Sequence, residues 1–272
     1  MSWWDAVILG LVQGLTEFIP VSSDGHLSAA EKLLPGFSQV GVLFDVMTHL
    51  GTLTAVLVYF RKFLREELAG LTAPDAGRRR ASWELLGLVA VATVPTGLIG
   101  LAIKGFVERA KEDLAFVGAM EIASGALLAV SFLSRRGETD RATTRRWHAL
   151  LIGAAQGLAV LPGLSRSAST IAVALLLGLT GRWAASFSFL LVIPAVMGAA
   201  GLEIFSAWQE RGPAFFGGPE FPRYLLGAVV AGAVGYATIG WMIRLASTRR
   251  IHLFAIYCVL FGLLLIVLAS AN

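Results

Sequence analysis

The chain has 272 residues, 56% hydrophobic and only 15% charged, with a formal net charge of +4 and a mean hydropathy of +0.74. Soluble domains run at about 45–50% apolar and about 25% charged, so this composition excludes a disordered chain, a small disulfide scaffold and most soluble enzymes. A single cysteine, Cys258, excludes an intrachain disulfide and sits in an apolar run that reads as core packing. No polar stretch is long enough for a second domain, so residues 1–272 read as one membrane domain.

The opening Met1-Ser2-Trp3-Trp4-Asp5 lacks a basic region and the first apolar run carries Gln13 and Glu17, so no cleavable signal peptide is expected. A spanning helix needs roughly 20 mostly apolar residues. The run 5–18 is too short, stops at Pro20 and leads into Ser22-Ser23-Asp24-Gly25-His26 before a second short helical stretch at 25–34. Spans are then predicted at 43–60, 83–104 and 114–134. The run 147–161 repeats the short pattern, stops at Pro162-Gly163 and leads through Ser165-Arg166-Ser167 into a short helix at 166–179. Spans follow at 183–205, 223–243 and 252–271. The expected fold is therefore an all-α polytopic membrane protein of six transmembrane helices plus two re-entrant helical hairpins, 5–34 and 147–179. Broken backbone of that kind is tolerated at membrane depth only inside protein or beside a watery cavity.

The two hairpins resemble each other: Gly10, Gln13 and Gly14 align with Gly153, Gln156 and Gly157, and Pro20 and Ser23 align with Pro162 and Ser165. Two repeats follow, about 1–142 and 143–272, each a hairpin and three spans. Cations concentrate in 61–82 (Arg61, Lys62, Arg65, Arg78, Arg79, Arg80), 135–146 (Arg135, Arg136, Arg141, Arg145, Arg146) and 244–250 (Arg244, Arg249, Arg250). The intervening 105–113 and 206–222 mix cations with Glu108, Glu112, Asp113, Glu210 and Glu220. Placing the three basic segments in the cytoplasm satisfies the positive-inside rule and puts both termini outside. Three spans per repeat then invert the second half relative to the first, and the hairpin tips meet near the midplane, where such repeats place a functional site. The net positive charge is thereby a topology signal rather than a sign of nucleic-acid binding.

Ionisable groups within the membrane are costly and point to function. The first hairpin supplies Gln13, Glu17, Ser22, Ser23, Asp24 and His26, with Gln13 and Glu17 on one helix face. The second supplies Ser165, Arg166, Ser167, Ser169 and Thr170. Arg166 opens a helix, whose free N–H groups favour anions, and its planar fork suits phosphate oxygens. A hydroxyl, an imidazole and a carboxylate are the parts of a nucleophile with an acid–base partner. Together they suggest phosphoryl transfer from a membrane-embedded substrate. Plainer readings compete: the serines as helix caps, His26 and Glu17 as a buried pair, Arg166 as a static lock on Glu17, and Gly14 and Gly157 as sites of close helix packing.

The run Gln13-Gly14-Leu15-Thr16-Glu17-Phe18-Ile19-Pro20-Val21-Ser22-Ser23-Asp24-Gly25-His26 resembles the first signature of the undecaprenyl-diphosphate phosphatase family, the bacitracin-resistance proteins. Leu161-Pro162-Gly163-Leu164-Ser165-Arg166-Ser167-Ala168-Ser169-Thr170 resembles the second, and 44–51 is similar to the segment after the first hairpin; the likeness covers essentially the whole chain. The resemblance implies an integral-membrane phosphatase that converts undecaprenyl diphosphate to undecaprenyl phosphate on the outer face of the bacterial cytoplasmic membrane, returning the cell-wall lipid carrier to use and conferring bacitracin resistance. It implies Ser23 as nucleophile, His26 as its acid–base partner, Arg166 as the phosphate grip and Glu17 as metal ligand or orienting group. Gln13, Ser22, Asp24, Ser165, Ser167 and Thr170 complete the expected substrate site, and a divalent cation, Mg²⁺ or Ca²⁺, is expected at Glu17 and Asp24. Gln13 is the uncharged variant of its position, and Asp24 stands where Ser or Thr is expected, so Asp24 is a candidate to restore the missing charge.

Asp45 and His49 share a face of the first span and read as support for the site or as a simple pair. Glu203 is expected at the outer boundary, His148 and His252 at helix starts, and Trp3, Trp4, Trp208 and Trp241 at the interfaces; Glu121 has no assigned place. A polyprenyl-phosphate transporter built on the same inverted repeats is the alternative class. An acid-phosphatase-type lipid phosphatase fits less well, because no histidine follows Ser165-Arg166 before His252. The expected partners are the polyprenyl diphosphate lipid and the bilayer, with a homodimer left open.

Overall fold

The computed structural model describes residues 1–34, 42–134, 137–212 and 218–270. Among them the chain is all helix, with one isolated bridge between Thr139 and Leu179 and no strand. In chain order the helices are α1 (Trp3–Thr16), α2 (Ser23–Leu33), α3 (Val42–Tyr59), α4 (Arg61–Gly70), α5 (Ala76–Ala110), α6 (Leu114–Phe132), α7 (Arg146–Leu158), α8 (Arg166–Leu176), α9 (Gly181–Arg211), α10 (Phe221–Ser247) and α11 (Leu253–Ser270). A helix lies on each of the six stretches read as spans. Among the described residues five helices are long and apolar enough to cross a membrane. The sixth, Leu43–Tyr59, qualifies only together with Arg61–Gly70, from which it is bent by 67°. That bend falls where the apolar run meets Arg61 and Lys62, and the charged Arg65, Glu66 and Glu67 follow on α4.

Apolar side chains face outward as well as inward. Leu98, Ile256 and Leu260 are each more than 60% exposed, and α11 is apolar on all sides, as expected of a helix that meets lipid rather than water. Inside, Phe18, Phe187, Phe189, Leu191 and Ile239 belong to one buried cluster. Phe18 meets Phe189 edge-to-face with centroids 5.4 Å apart, tying the break after α1 to α9.

The packing partners of the short helices matter most for the site. α1 packs on α2 and α10, and α7 packs on α8 and α5. α6 and α11 lie against each other, as do α3 and α10. Glycines let these backbones close up. A Cβ on Gly10 would stand 2.6 Å from Gly227 O, one on Gly14 2.6 Å from Ala231 O, and one on Gly153 2.0 Å from Ala92 O. Gly14 and Gly157 thus serve packing, as their positions suggested. Because the obstacle at Gly153 is backbone, Gly153→Ala forces α7 off α5. Overpacking of this kind costs about 1–3 kcal/mol or more. Gly97, also in a long helix but with nothing within 4 Å of an added methyl, is the control; Gly97→Ala is expected to be neutral or stabilising by up to ~1 kcal/mol. Thermal unfolding in detergent separates the two, and equal midpoints would refute the packing argument.

The basic segments gather by contact. Arg141 reaches from 137–146 to Glu67 of α4, with N–O distances of 2.6 and 2.5 Å, and Arg249 donates to the carbonyls of Phe132 and Ser134 at the end of α6. A cleft of about 1270 Å³ opens on this side, lined by Arg78, Trp83, Arg141 and Arg146 among others. Arg135 and Arg136, counted with these cations in the sequence, lie outside the described residues.

Candidate active site

The first break begins at Pro20, whose ring cannot continue α1. Ser22 then adopts φ 54°, a left-handed value rare for a side chain with Cβ and a form of strain that clusters at functional sites. That turn sets Ser23 as the first residue of α2 and points its hydroxyl back at α1. Ser23 Oγ donates to Glu17 Oε2 at 2.7 Å. Gln13, one turn before Glu17, donates to the same oxygen at 3.0 Å. His49 Nε2 stands 3.8 Å from it. The other carboxylate oxygen, Oε1, takes Nη2 of Arg166 from the second hairpin. Glu17 is buried and is the point where α1, α2, α3 and α8 meet.

His26 sits one turn into α2 and stacks on Phe261, centroids 4.1 Å apart. Its Nδ1 lies 2.8 Å from Ser22 O and its Nε2 2.6 Å from the Tyr257 hydroxyl. A carbonyl only accepts, so Nδ1 carries the proton toward Ser22 O; neutral Nε2 then accepts from the Tyr257 O–H. Ser23 therefore leans on Glu17, while His26 leans on its own helix start and on α11.

The second break is formed by Pro162 and by Gly163, at φ +89°. Ser165 caps α8 by accepting from Ala168 N at 3.2 Å, and its own N–H donates to Ser124 Oγ of α6 at 2.8 Å. Ser167 donates to Ile19 O of the first break at 3.0 Å, and Thr170 to Arg166 O at 2.8 Å. Nη1 of Arg166 and Oε1 of Gln13 are buried without a hydrogen-bond partner among the described residues. Helix α6 braces the second break twice: Ser124 holds Ser165, and a Cβ on Gly163 would strike Val117 O.

The structure thus gathers Gln13, Glu17, Ser23 and Arg166 into one connected set and puts Ser22 and His26 beside it. Ser165 spends its hydroxyl on capping α8, the role that competed with substrate binding in the sequence, and Thr170 returns its own to Arg166 O within that helix. Ser167 ties the hairpins together. Asp24, in the first turn of α2, has no hydrogen bond or ion pair among the described residues. Of the residues with weaker sequence signals, His49 reaches Glu17 while bonding only the backbone oxygen of Asp45, at 2.8 Å. Glu203 pairs loosely with Lys104 at 4.0 Å, and His148 closes the start of α7 by accepting from Arg145 N at 2.9 Å. Tyr257 and Ser124 were not anticipated; each is a hydroxyl set within an apolar helix, the one signal the sequence offered.

Among the described residues no three His, Cys, Asp or Glu side chains converge as a metal site. Both oxygens of Glu17 are engaged, which leaves Asp24 as the free one of the two carboxylates expected to hold a cation. Mg²⁺ commonly binds through one or two carboxylates plus substrate phosphates, so this donor set fits a cation shared with a diphosphate rather than one caged by protein.

An acid held between an arginine and a serine, at the meeting of two broken helical hairpins, covers the two segments whose sequence was most distinctive. Residues 6–264 match the family model described as bacitracin resistance protein BacA. The chain belongs to the BacA family. Its relatives include proteins named undecaprenyl-diphosphatase from Syntrophotalea carbinolica, 44% identical with 96% of this chain and 97% of the relative covered. Others so named come from Paenarthrobacter aurescens, 39% identical over 100% and 99%, and Carboxydothermus hydrogenoformans, 39% identical over 100% and 99%. The BacA family match and these full-length alignments span both hairpins and all the long apolar helices.

Proposed function

We propose that this BacA-family protein is an undecaprenyl-diphosphate phosphatase that releases inorganic phosphate and returns undecaprenyl phosphate to the cell-wall carrier cycle. The observation that carries the reading is the Glu17 carboxylate, which holds the Ser23 hydroxyl of one hairpin and the Arg166 guanidinium of the other. Ser23 Oγ attacks the terminal phosphorus and the phosphoric anhydride bond breaks, leaving undecaprenyl phosphate. The hydroxyl proton passes to Glu17, 2.7 Å away. As Glu17 loses its charge, Arg166 is released to the phosphoryl oxygens, where charge stabilisation contributes most. Water then cleaves the phosphoserine, and Ser23 regains its proton. His26 orients the attacked group from the next turn of α2. The positive end of the α8 dipole favours the phosphates, and Ser165 and Ser167 hold that helix start in place. A divalent cation bound with the diphosphate would be held by Asp24 and would neutralise phosphate charge. The activity in the relatives' names is hydrolytic, and no observation favours the transport alternative.

The same proposal includes two inverted repeats, 1–142 and 143–272, with six spans and two re-entrant hairpins. What supports it is an exchange of partners: α1 of the first half packs on α10 of the second, and α7 of the second on α5 of the first. Contact between Arg141 and Glu67 supports gathering the basic segments on the cytoplasmic side, with both termini and the site's entrance outside. A homodimer is compatible with this arrangement.

The test is phosphate release from undecaprenyl diphosphate by purified protein in detergent, with and without Mg²⁺ or Ca²⁺. Wild type should turn over; Ser23→Ala should lose at least about a hundredfold in kcat, and His26→Ala a comparable amount. Asp24→Ser should raise the cation concentration needed for half-maximal rate; full activity at low Mg²⁺ would remove Asp24 from the site. A folded wild type that releases nothing under any cation condition would overturn the phosphatase reading.

A further inference from the structure

Glu121 lies in α6, a membrane-crossing helix, and is fully buried with both carboxylate oxygens unpartnered among the described residues. A buried polar group without a partner calls for an explanation. Its surroundings supply one. Glu121 Oε2 is 3.7 Å from where a Cβ on Gly25 would stand, and that same point is 3.7 Å from Phe261 Cε1. It therefore sits under the opening turn of α2, beside His26 and the aromatic ring stacked on it. Tyr257 and Cys258 of α11 are its electrostatic neighbours. The Cys258 thiol stands within reach of the carboxylate but points to Pro20 O at 3.2 Å, and the Tyr257 O–H is given to His26 Nε2.

That last bond constrains the reaction. While Tyr257 donates to Nε2, the imidazole has no free nitrogen to offer the substrate, because Nδ1 is held by Ser22 O. For His26 to engage the diphosphate, the Tyr257 hydroxyl must turn to another acceptor. We propose that Glu121 is that acceptor: a positioning residue that takes the Tyr257 O–H and so frees His26 Nε2 for the phosphates. Glu121 need not touch the substrate. It acts through Tyr257 on His26, from the helix that also braces Ser165 of the second hairpin. The inference rests on the phosphatase reading and on the role of His26 within it.

The test compares Glu121→Met, Glu121→Leu, Glu121→Gln, Tyr257→Phe and the double variant Glu121→Met/Tyr257→Phe in the phosphate-release assay. Methionine and leucine replace the unpartnered acid with apolar bulk, so the thermal midpoint should hold or rise. Kcat should nevertheless fall about tenfold, the worth of one hydrogen bond of about 1.4 kcal/mol, with KM little changed. Glutamine keeps an acceptor oxygen and should restore most of the rate. Phenylalanine removes the O–H that needs an acceptor, so adding Glu121→Met to Tyr257→Phe should cost nothing further. Wild-type kcat in both apolar variants would overturn the proposal, as would a loss undiminished in the Tyr257→Phe background. Failure of both apolar variants to fold would also overturn it, since the acid would then be a packing requirement. An inactive wild type would instead sink the phosphatase reading itself.

Discussion

Arg166→Ala is expected to abolish measurable phosphate release and to destabilise the protein at once. Arg166 is the cation that faces Glu17, and Glu17 is buried. Removing one partner of a buried ion pair strands the other charge, at a cost of about 3–5 kcal/mol. Removing a charge-stabilising donor from the transition state lowers kcat by about 10²–10³. Arg166→Lys separates the two effects. It restores a positive charge opposite Glu17 but not the planar fork, so the thermal midpoint should largely recover while the rate should not. Thermal unfolding and phosphate release on the same preparations decide the matter. If Lys restored the rate as well, Arg166 would be acting as a point charge and its Nη1, buried without a partner in the described residues, would have no part in binding.

Gly163→Ala should be the most damaging change that removes no functional group. Two demands coincide at this residue. Its φ of +89° is a conformation that side chains with Cβ rarely adopt, and the added methyl would stand 2.1 Å from Val117 O of α6. Neither can be relieved by a side-chain rotation, because the obstacle is backbone. Gly178 gives the control: φ is +86° there, yet the nearest atom to a Cβ is Thr139 Oγ1 at 4.0 Å. Gly178→Ala should therefore cost only the backbone strain, about 1–2 kcal/mol. Gly163→Ala should cost several kilocalories more, or prevent accumulation of folded protein, and should lower activity by moving Ser165 and Arg166 off α6. Similar unfolding midpoints for the two variants would show that the second break is not braced by α6.

The helices were legible in the sequence because hydrocarbon imposes a length, and Pro20 and Pro162-Gly163 interrupt it visibly. The members of the candidate site were legible for a related reason: Gln13, Glu17, Ser23 and Arg166 are costly in an apolar run unless they meet one another. Their pairing was not. Sequence spacing placed Ser23 and His26 on successive turns and suggested that they act together, yet the turn at Ser22 aims Ser23 at Glu17 instead. The partner of His26 is 231 residues away, on α11, and no periodicity marks such a contact; it exists because α11 packs along α6. The length of α5 was also underestimated, 83–104 against Ala76–Ala110. The extra turns carry Arg78, Arg79 and Arg80, which a hydropathy criterion discards although Asp75 caps the helix before them through Arg78 N at 2.7 Å.

The lone thiol has a practical meaning. Cys258 is wholly enclosed and its Sγ is bonded to Pro20 O. Membrane-impermeant maleimides, which alkylate accessible thiolates, should pass over it in the folded protein. The natural chain is thus already a silent background for cysteine labelling. A reporter placed at Ser2, before α1, and another at Thr248, after α10, would then read out sidedness in intact cells one position at a time, with no native residue to remove first.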